Sequence, residues 1–477
     1  MFAPMQKEIS QEKIFNRIII ISGIITFTYL LILSQIFFKE RTCFVDMSFI
    51  LFNIIKDQSL AIQVYRFGSV VTQIFPLAGV WLGFSLETIM RLYSASFIIW
   101  YFVVFLICVF VFRKPKHGLL MLLFATLMVS DTFYWITNEQ LQGIAFCILL
   151  FAFIEWNFEK NRSPFLFYPF LLAGICIAAF FHPLVIAGFC FFCLYNWLTD
   201  RKVFWLFSIA LFLCFYIFKI IFFYSHNYDH HAFASIKKIP ENALDFFILP
   251  VTINFFYYLF IHYFLYLIAF LVTNIYLIIH RNRLSLLLLN AASVIYFFIV
   301  NTSIANPDLL FYNESHYLML GFFVSIPLCF KILPAIRKTS WLFFIISGGL
   351  IIRCIDITAD HKKFTKRIEW LENFQNETDH LNSKKLFVKE KQVPMDLLMI
   401  TWGSSYESLF ISALKNPDNP RSILIDYELD KKEWAFDQNK SFFTHWEILP
   451  YKDLPEKYFR FNDSSRYVYF NSALLTK

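Results

Sequence analysis

Glycine, charge and known catalytic motifs are all scarce in this sequence of 477 residues. Only 12 residues are glycine, and repeated GxxxG motifs, with which membrane helices often pack, are absent. The chain has no glycine-rich phosphate loop and no HExxH zinc motif. The nine cysteines do not indicate a disulfide framework, because most of them, including Cys190 and Cys193, lie inside apolar runs. No motif therefore assigns a function directly.

The sequence is rich in apolar residues and poor in charged ones. Charged residues make up 16% of the chain, against about 25% in soluble proteins, and hydrophobic residues make up 58%. They form long continuous runs, such as IIIISGIITFTYLLILSQIFF at 18–38, rather than the alternating strands of a β-barrel. The composition predicts a polytopic α-helical membrane protein whose partner is the lipid bilayer. The net charge of +7 lies largely in short loops and does not indicate a nucleic acid partner.

Hydropathy predicts about eleven membrane spans and their orientation. The loops between alternate spans are short and basic, and the others are longer and mixed in charge. Basic loops mark the cytoplasmic side, so we expect the N-terminus in the cytoplasm and the C-terminal region outside the plasma membrane. The predicted spans are 16–37, 93–112, 118–134, 141–155, 165–181, 183–198, 203–223, 256–279, 284–301, 317–331 and 340–357.

The C-terminal region differs in composition from the rest of the chain. Residues 358–477 carry an amphipathic helix pattern, HKKFTKRIEWLENF, and later segments that mix helix and strand periodicity. This predicts two domains, a membrane domain over 1–357 and a small extracytoplasmic α/β or α+β domain over 358–477.

The first outer loop, 39–92, is the longest and holds the first candidate catalytic residue. It carries apolar residues at helical spacing with predicted breaks at Gly68, Pro76 and Gly83, a pattern typical of interfacial helices. Asp46, in CFVDMSF, is then expected at the membrane surface, where a carboxylate meets a polar substrate with a lipid tail. Alternatively, Asp46 caps the helix MSFILFNII. Asp57 is expected to cap the next segment or to be solvated.

The next outer loops add further candidates. The loop SDTFYWITNEQLQG holds Asp131 and Glu139, a second catalytic candidate, although Glu139 also begins a helix where negative charge is favourable. His182, in FFHPLV, is a candidate for phosphate binding or proton transfer, with a turn residue as the alternative. Arg353 lies near the outer end of the last span, where burying its charge costs free energy unless the side chain is paired or snorkels to the surface.

Two more loops contain candidate ligands. A divalent metal ion is a candidate cofactor, because SHNYDHHAFASIKK offers His226, Asp229, His230 and His231. Lys237 and Lys238 in the same loop could bind phosphate. The loop NPDLLFYNESHYLML places Asp308, Tyr312, Glu314 and His316 just outside a span.

These residues together suggest one extracytoplasmic site for sugar transfer. A carboxylate such as Asp46 could accept a proton from a sugar hydroxyl. Cations could stabilise a polyprenyl-phosphate leaving group, with Arg66 and Arg353 as first candidates and Lys237 or Lys238 as alternates. Glu314 and His316 are further candidates for substrate binding.

This layout resembles the GT-C superfamily of integral membrane glycosyltransferases. The shared features are a first helix followed by a long outer loop with an early acid, here CFVDMSF, short cytoplasmic loops and a C-terminal outer domain. The resemblance implies a lipid-phosphate-linked sugar donor and a glycan, lipid or protein acceptor, with Asp46 as the catalytic base. One departure is that Asp46 stands alone, whereas many members carry paired acids in this loop.

Three other functions fit the same pattern. An O-antigen-type polymerase or ligase also handles polyprenyl-linked glycans on outer loops. A transporter or flippase would need polar groups deep in the bundle, for which His262, Asn274 and Lys219 are candidates. A non-enzymatic assembly subunit would use the outer domain to bind partners.

Overall fold

The computed structural model describes residues 2–137, 139–160, 164–223, 235–379, 383–426, 439–462 and 464–470, and of residues 2–10 and 164 only the backbone. The chain is 73% helical, which confirms the predicted helical class. Seven described helices are long and apolar enough to cross a membrane: Gln11–Ile36, Leu86–Val111, Glu139–Lys160, Phe204–Phe222, Arg283–Ser303, Leu310–Ala335 and Thr339–Glu377. These helices are compatible with a membrane location.

The predicted count of eleven spans is not confirmed. An eighth candidate span consists of two helices, Pro250–Ile261 and Phe264–Ile279, that meet at an angle of 88°. Three other apolar helices are shorter, Phe67–Trp81, Phe165–Ala179 and Val185–Asp200. Hydropathy counts each apolar run as a span, whereas a run can also form a short helix, as Pro115–Phe124 does where it overlaps the predicted span 118–134.

The predicted first outer loop forms helices, as expected, with two corrections. Helices cover Phe38–Thr42, Asp46–Asp57 and Val70–Trp81. Gly83 ends the last of these regions with φ +70°, a conformation that glycine adopts without steric cost. Pro76, however, lies inside the helix Val70–Trp81 and does not break it, and the next long helix begins at Leu86 instead of near residue 93.

The C-terminal region contains a small sheet, as predicted. Three parallel strands are ordered β2-β1-β5, with β1 at Lys385–Lys389, β2 at Ser422–Asp426 and β5 at Val468–Tyr469. The helix Ser404–Lys415 connects β1 to β2, which favours the α/β form of the prediction. A hairpin of β3, Ser441–Phe443, and β4, Ile448–Pro450, lies beside this sheet.

This C-terminal region packs directly on the first outer loop. The ring of Phe52, on the helix Asp46–Asp57, lies 5.0 Å from that of Tyr406 and 5.5 Å from that of Phe442. Lys39 forms a 2.9 Å ion pair with Glu372 of the helix His361–Glu377. The two regions therefore share one core, and the C-terminal region fixes the helix that begins at Asp46.

Candidate functional site

Asp46 lies at the start of its helix, and its carboxylate is held by the second outer loop. Its Oδ2 accepts a hydrogen bond of 3.1 Å from Nε1 of Trp135. The helix N-cap is Val45, so Asp46 is the first helical residue and does not fill the predicted capping position. Burial raises the pKa of Asp46 to about 6. The hydrogen bond from Trp135 lowers this pKa, whereas the negative charge of Glu139 raises it further. Asp46 is therefore a carboxylate that exchanges its proton close to neutral pH.

Arg66 and Glu139 form an ion pair beside Asp46. Arg66 Nη1 lies 3.1 Å from Glu139 Oε2, and their side chains are only 9% and 14% exposed. Both charges act on Asp46, with opposite effects on its pKa. By contrast, Asp57 is 52% exposed at the far end of the same helix, beside Lys56, as expected for a solvated residue.

His182 contributes a neutral imidazole to this group. Burial holds its pKa well below the usual range, and electrostatic interactions with Arg66, His316 and Lys219 act in the same direction. Its Nδ1 accepts a 3.2 Å hydrogen bond from the backbone N–H of Leu184, so the ring hydrogen is on Nε2. His182 can therefore donate a hydrogen bond through Nε2 at neutral pH.

His316 has the opposite tautomer. Its Nδ1 lies 2.8 Å from the backbone oxygen of Tyr312, and a carbonyl can only accept, so Nδ1 carries the hydrogen. Nε2 of a neutral His316 is then an acceptor. Tyr312 in turn lies against Trp135, with ring centroids 6.0 Å apart.

Five of the eight residues predicted for the site thus come together from separate segments. They form a group that we call the Asp46 cluster: Asp46, Arg66, Glu139, His182 and His316. A small cavity with room for about one water molecule borders the cluster at Glu139. Its walls include the polar side chains of Thr72, Gln73 and Gln142.

Glu314, a predicted substrate-binding residue, forms hydrogen bonds within the protein. Its Oε1 accepts hydrogen bonds from the backbone N–H groups of Ser130 and Thr132 at 2.7 and 2.9 Å, and its Oε2 accepts one from Tyr263 Oη at 2.8 Å. Glu314 is fully buried. Substrate binding by Glu314 stays a prediction that these bonds do not favour. Their visible effect is to fix the turn that leads to Trp135.

Arg353 is also satisfied within the protein. It is 1% exposed, so its side chain does not snorkel. Its guanidinium donates to the backbone oxygens of Thr126, Val129 and His262 at 3.0, 2.6 and 2.6 Å and pairs with Asp356 at 2.9 Å. Its acidic partner is thus on its own helix, and phosphate binding by Arg353 stays a prediction that this geometry does not favour.

The remaining candidates lie elsewhere. Lys237 and Lys238 are exposed on the short turn Ser235–Lys238, and Asp131 pairs with Lys363. The predicted metal ligands His226, Asp229, His230 and His231 fall outside the described residues. Within the described ranges, no group of three or more His, Cys, Asp or Glu side chains is arranged to hold a metal ion.

Two neighbours of the cluster were not predicted for this site. Trp135 follows the acidic start of the second outer loop, but an indole partner for Asp46 leaves no signal in the sequence. Lys219 donates a 3.0 Å hydrogen bond to the backbone oxygen of Phe181, next to His182. A lysine within an apolar helix is costly and indicates a polar surrounding, which is the signal that could have found it.

Comparison with known proteins gives no further guide. Family models, curated proteins and solved structures were each searched, and none matches this chain. The function must therefore be inferred from the chemistry of the Asp46 cluster.

Proposed function

We propose that the protein is a membrane glycosyltransferase of the GT-C type. It would move a sugar from a polyprenyl-phosphate-linked donor to an acceptor at the extracytoplasmic surface of the plasma membrane, with its N-terminus in the cytoplasm. The observation that carries this proposal is the Asp46 cluster, in which Arg66 acts electrostatically both on a carboxylate with a pKa of about 6 and on the imidazole of His182.

The cluster supplies the groups that sugar transfer needs. In the proposed reaction Asp46 takes the proton of an acceptor hydroxyl as the oxygen forms its bond to the anomeric carbon of the donor. The bond from that carbon to the phosphate oxygen breaks, and its electron pair leaves on the phosphate. Arg66 and the Nε2–H of His182 would stabilise the charge that develops there.

The first outer loop also offers an apolar surface for the lipid of the donor. Ile74, Trp81 and Leu82 are 51%, 67% and 69% exposed on and after the helix Val70–Trp81. Such a surface near a polar cluster fits a substrate with an apolar tail and a charged head.

The test is sugar transfer from a panel of polyprenyl-phosphate donors by protein in lipid nanodiscs. We expect wild-type turnover and a loss of about 100-fold or more in Asp46→Asn, because the base is removed. Asp57→Asn is the matched control, since Asp57 lies on the same helix but is exposed. Equal turnover by wild type and Asp46→Asn would refute the role of Asp46, and equal loss in both variants would indicate a general defect.

A transporter is the second candidate, and one observation favours it. The helices Pro250–Ile261 and Phe264–Ile279 meet at 88°, and the backbone oxygen of His262 at this break accepts a hydrogen bond from the buried Arg353. Broken helices beside buried charge are typical of transport sites. Uptake of fluorescent polyprenyl-phosphate lipids across liposome membranes without sugar transfer, lost in Arg353→Gln, would support this alternative.

A further inference from the structure

Val45, the residue before Asp46, has a backbone conformation that valine normally avoids. Its φ is 46° and its ψ is −110°, which is the mirror image of the extended region. Glycine enters this region readily, whereas a β-branched side chain clashes with its own backbone there. Strain of this kind persists only where neighbouring groups enforce it.

Two buried residues of the C-terminal region hold this backbone. Glu407 Oε1 accepts a 2.7 Å hydrogen bond from the N–H of Val45. Arg367 lies 2.6 Å from the other carboxylate oxygen, Oε2, and donates a 3.2 Å bond to the backbone oxygen of Cys43. The side chains of Arg367 and Glu407 are 2% and 0% exposed. The pair therefore forms hydrogen bonds with the backbone on both sides of Phe44.

The helix that carries Glu407 also approaches Val45 closely. A Cβ atom on Gly403 would lie 2.7 Å from Cα of Val45. This distance is too short for any residue except glycine, and the obstacle is backbone that cannot rotate away. The start of the helix Ser404–Lys415 thus presses directly on the residue that precedes Asp46.

We propose that the Glu407–Arg367 pair is a positioning device through which the C-terminal region sets the place of the Asp46 carboxylate. Asp46 is the first residue of its helix, so the peptide that joins it to Val45 determines where the helix starts. Releasing Val45 into an ordinary conformation would turn that peptide and move the carboxylate away from Nε1 of Trp135. The catalytic meaning of this device rests on the proposed function, but the placement itself does not.

The first experiment follows the placement without any substrate. Protein labelled with 5-fluorotryptophan is titrated by ¹⁹F NMR, with the Trp135 signal assigned by its absence in Trp135→Phe. We expect the wild-type signal to titrate near pH 6, because Trp135 bonds to Asp46. In Glu407→Gln the midpoint should fall by about one pH unit or the titration should vanish, because a displaced carboxylate loses its burial.

Rescue distinguishes positioning from general stability. In Glu407→Gln with Val45→Gly the glycine takes the same conformation without strain, so the midpoint should return towards that of the wild type. Glu372→Gln is the control, because Glu372 lies on the same helix as Arg367 but pairs with Lys39 near the surface. If Glu407→Gln does not fold, Arg367→Lys, which keeps the charge and loses the fork geometry, replaces it.

An unchanged midpoint in a folded Glu407→Gln, or no rescue by glycine, would overturn the inference. Turnover is measured in parallel, and a drop of about 100-fold is expected for Glu407→Gln if a carboxylate displaced by about 1 Å is the base. A shifted titration without any wild-type turnover would leave the positioning role standing and count against the proposed function alone.

Discussion

Replacing Asp46 by asparagine should make the folded protein more stable at neutral pH. Burial raises the pKa of Asp46 from its ordinary 3.8 to about 6, so the folded state disfavours the charged carboxylate. The stability that goes with the protonated form is present below pH 3.8 and is lost as the pH rises through about 6. Asparagine resembles the protonated acid in shape and keeps an acceptor for Trp135. The variant should therefore keep this stability as the pH rises.

The expected gain follows from the size of the pKa change. A difference of roughly two pH units corresponds to about 3 kcal/mol at ~1.36 kcal/mol per unit. The gain should be about 3 kcal/mol at pH 8, fall to about half of that at pH 5 and vanish below about pH 4. Unfolding free energies in bicelles, measured by steric trapping with two biotin tags, give this quantity in a lipid environment.

Asp57→Asn serves as the control, because its exposed side chain should change the free energy of unfolding by no more than about 0.5 kcal/mol at any pH. A destabilised Asp46→Asn, or a gain in unfolding free energy that does not depend on pH, would show that the folded state does not disfavour the charged carboxylate. A residue whose removal stabilises the fold but abolishes turnover would be typical of a functional site.

Three further predictions concern the neighbours of Asp46. Glu139→Gln removes a negative charge that raises the pKa of Asp46, so the rise of the pH–rate profile should move below about pH 6. Arg66→Gln removes a positive charge that lowers this pKa, so the rise should move above about pH 6. An unchanged profile in both variants would contradict these electrostatic effects. Glu314→Gln turns one oxygen into an N–H₂ group that faces existing donors, and should lower the free energy of unfolding by about 2–4 kcal/mol in the same bicelle assay. Gly403→Ala should shift the Trp135 fluorine signal even at pH 8, where Asp46 is charged, because its methyl group displaces Val45.

The sequence could predict the class of the fold and much of the cluster, for a physical reason. Charged and polar residues are costly beside apolar runs, so Asp46, Arg66, Glu139, His182 and His316 were visible as residues that need a polar surrounding. Their outer loops were expected on one side of the bundle, and the structure brings these five together.

What the sequence could not predict was which partner each charge would find. Glu314 and Arg353 met the same criterion, yet backbone groups of the turn at 126–132 satisfy both. The predicted number of spans is not confirmed either, because hydropathy counts an apolar run such as Val185–Asp200 as a span although its helix is shorter than the seven candidate spans. The tertiary contact between Glu407 and Val45 joins residues 362 positions apart and leaves no local pattern.

The last long helix has a mechanical consequence. Thr339–Ala359 and His361–Glu377 are separated only by Asp360 and together qualify as one helix of 39 residues. At ~1.5 Å per residue the two helices contain about 58 Å of helix, which begins in the apolar bundle and ends in the core of the C-terminal region. Because Asp360 alone connects them, no flexible linker separates the motion of the bundle from that of the C-terminal region.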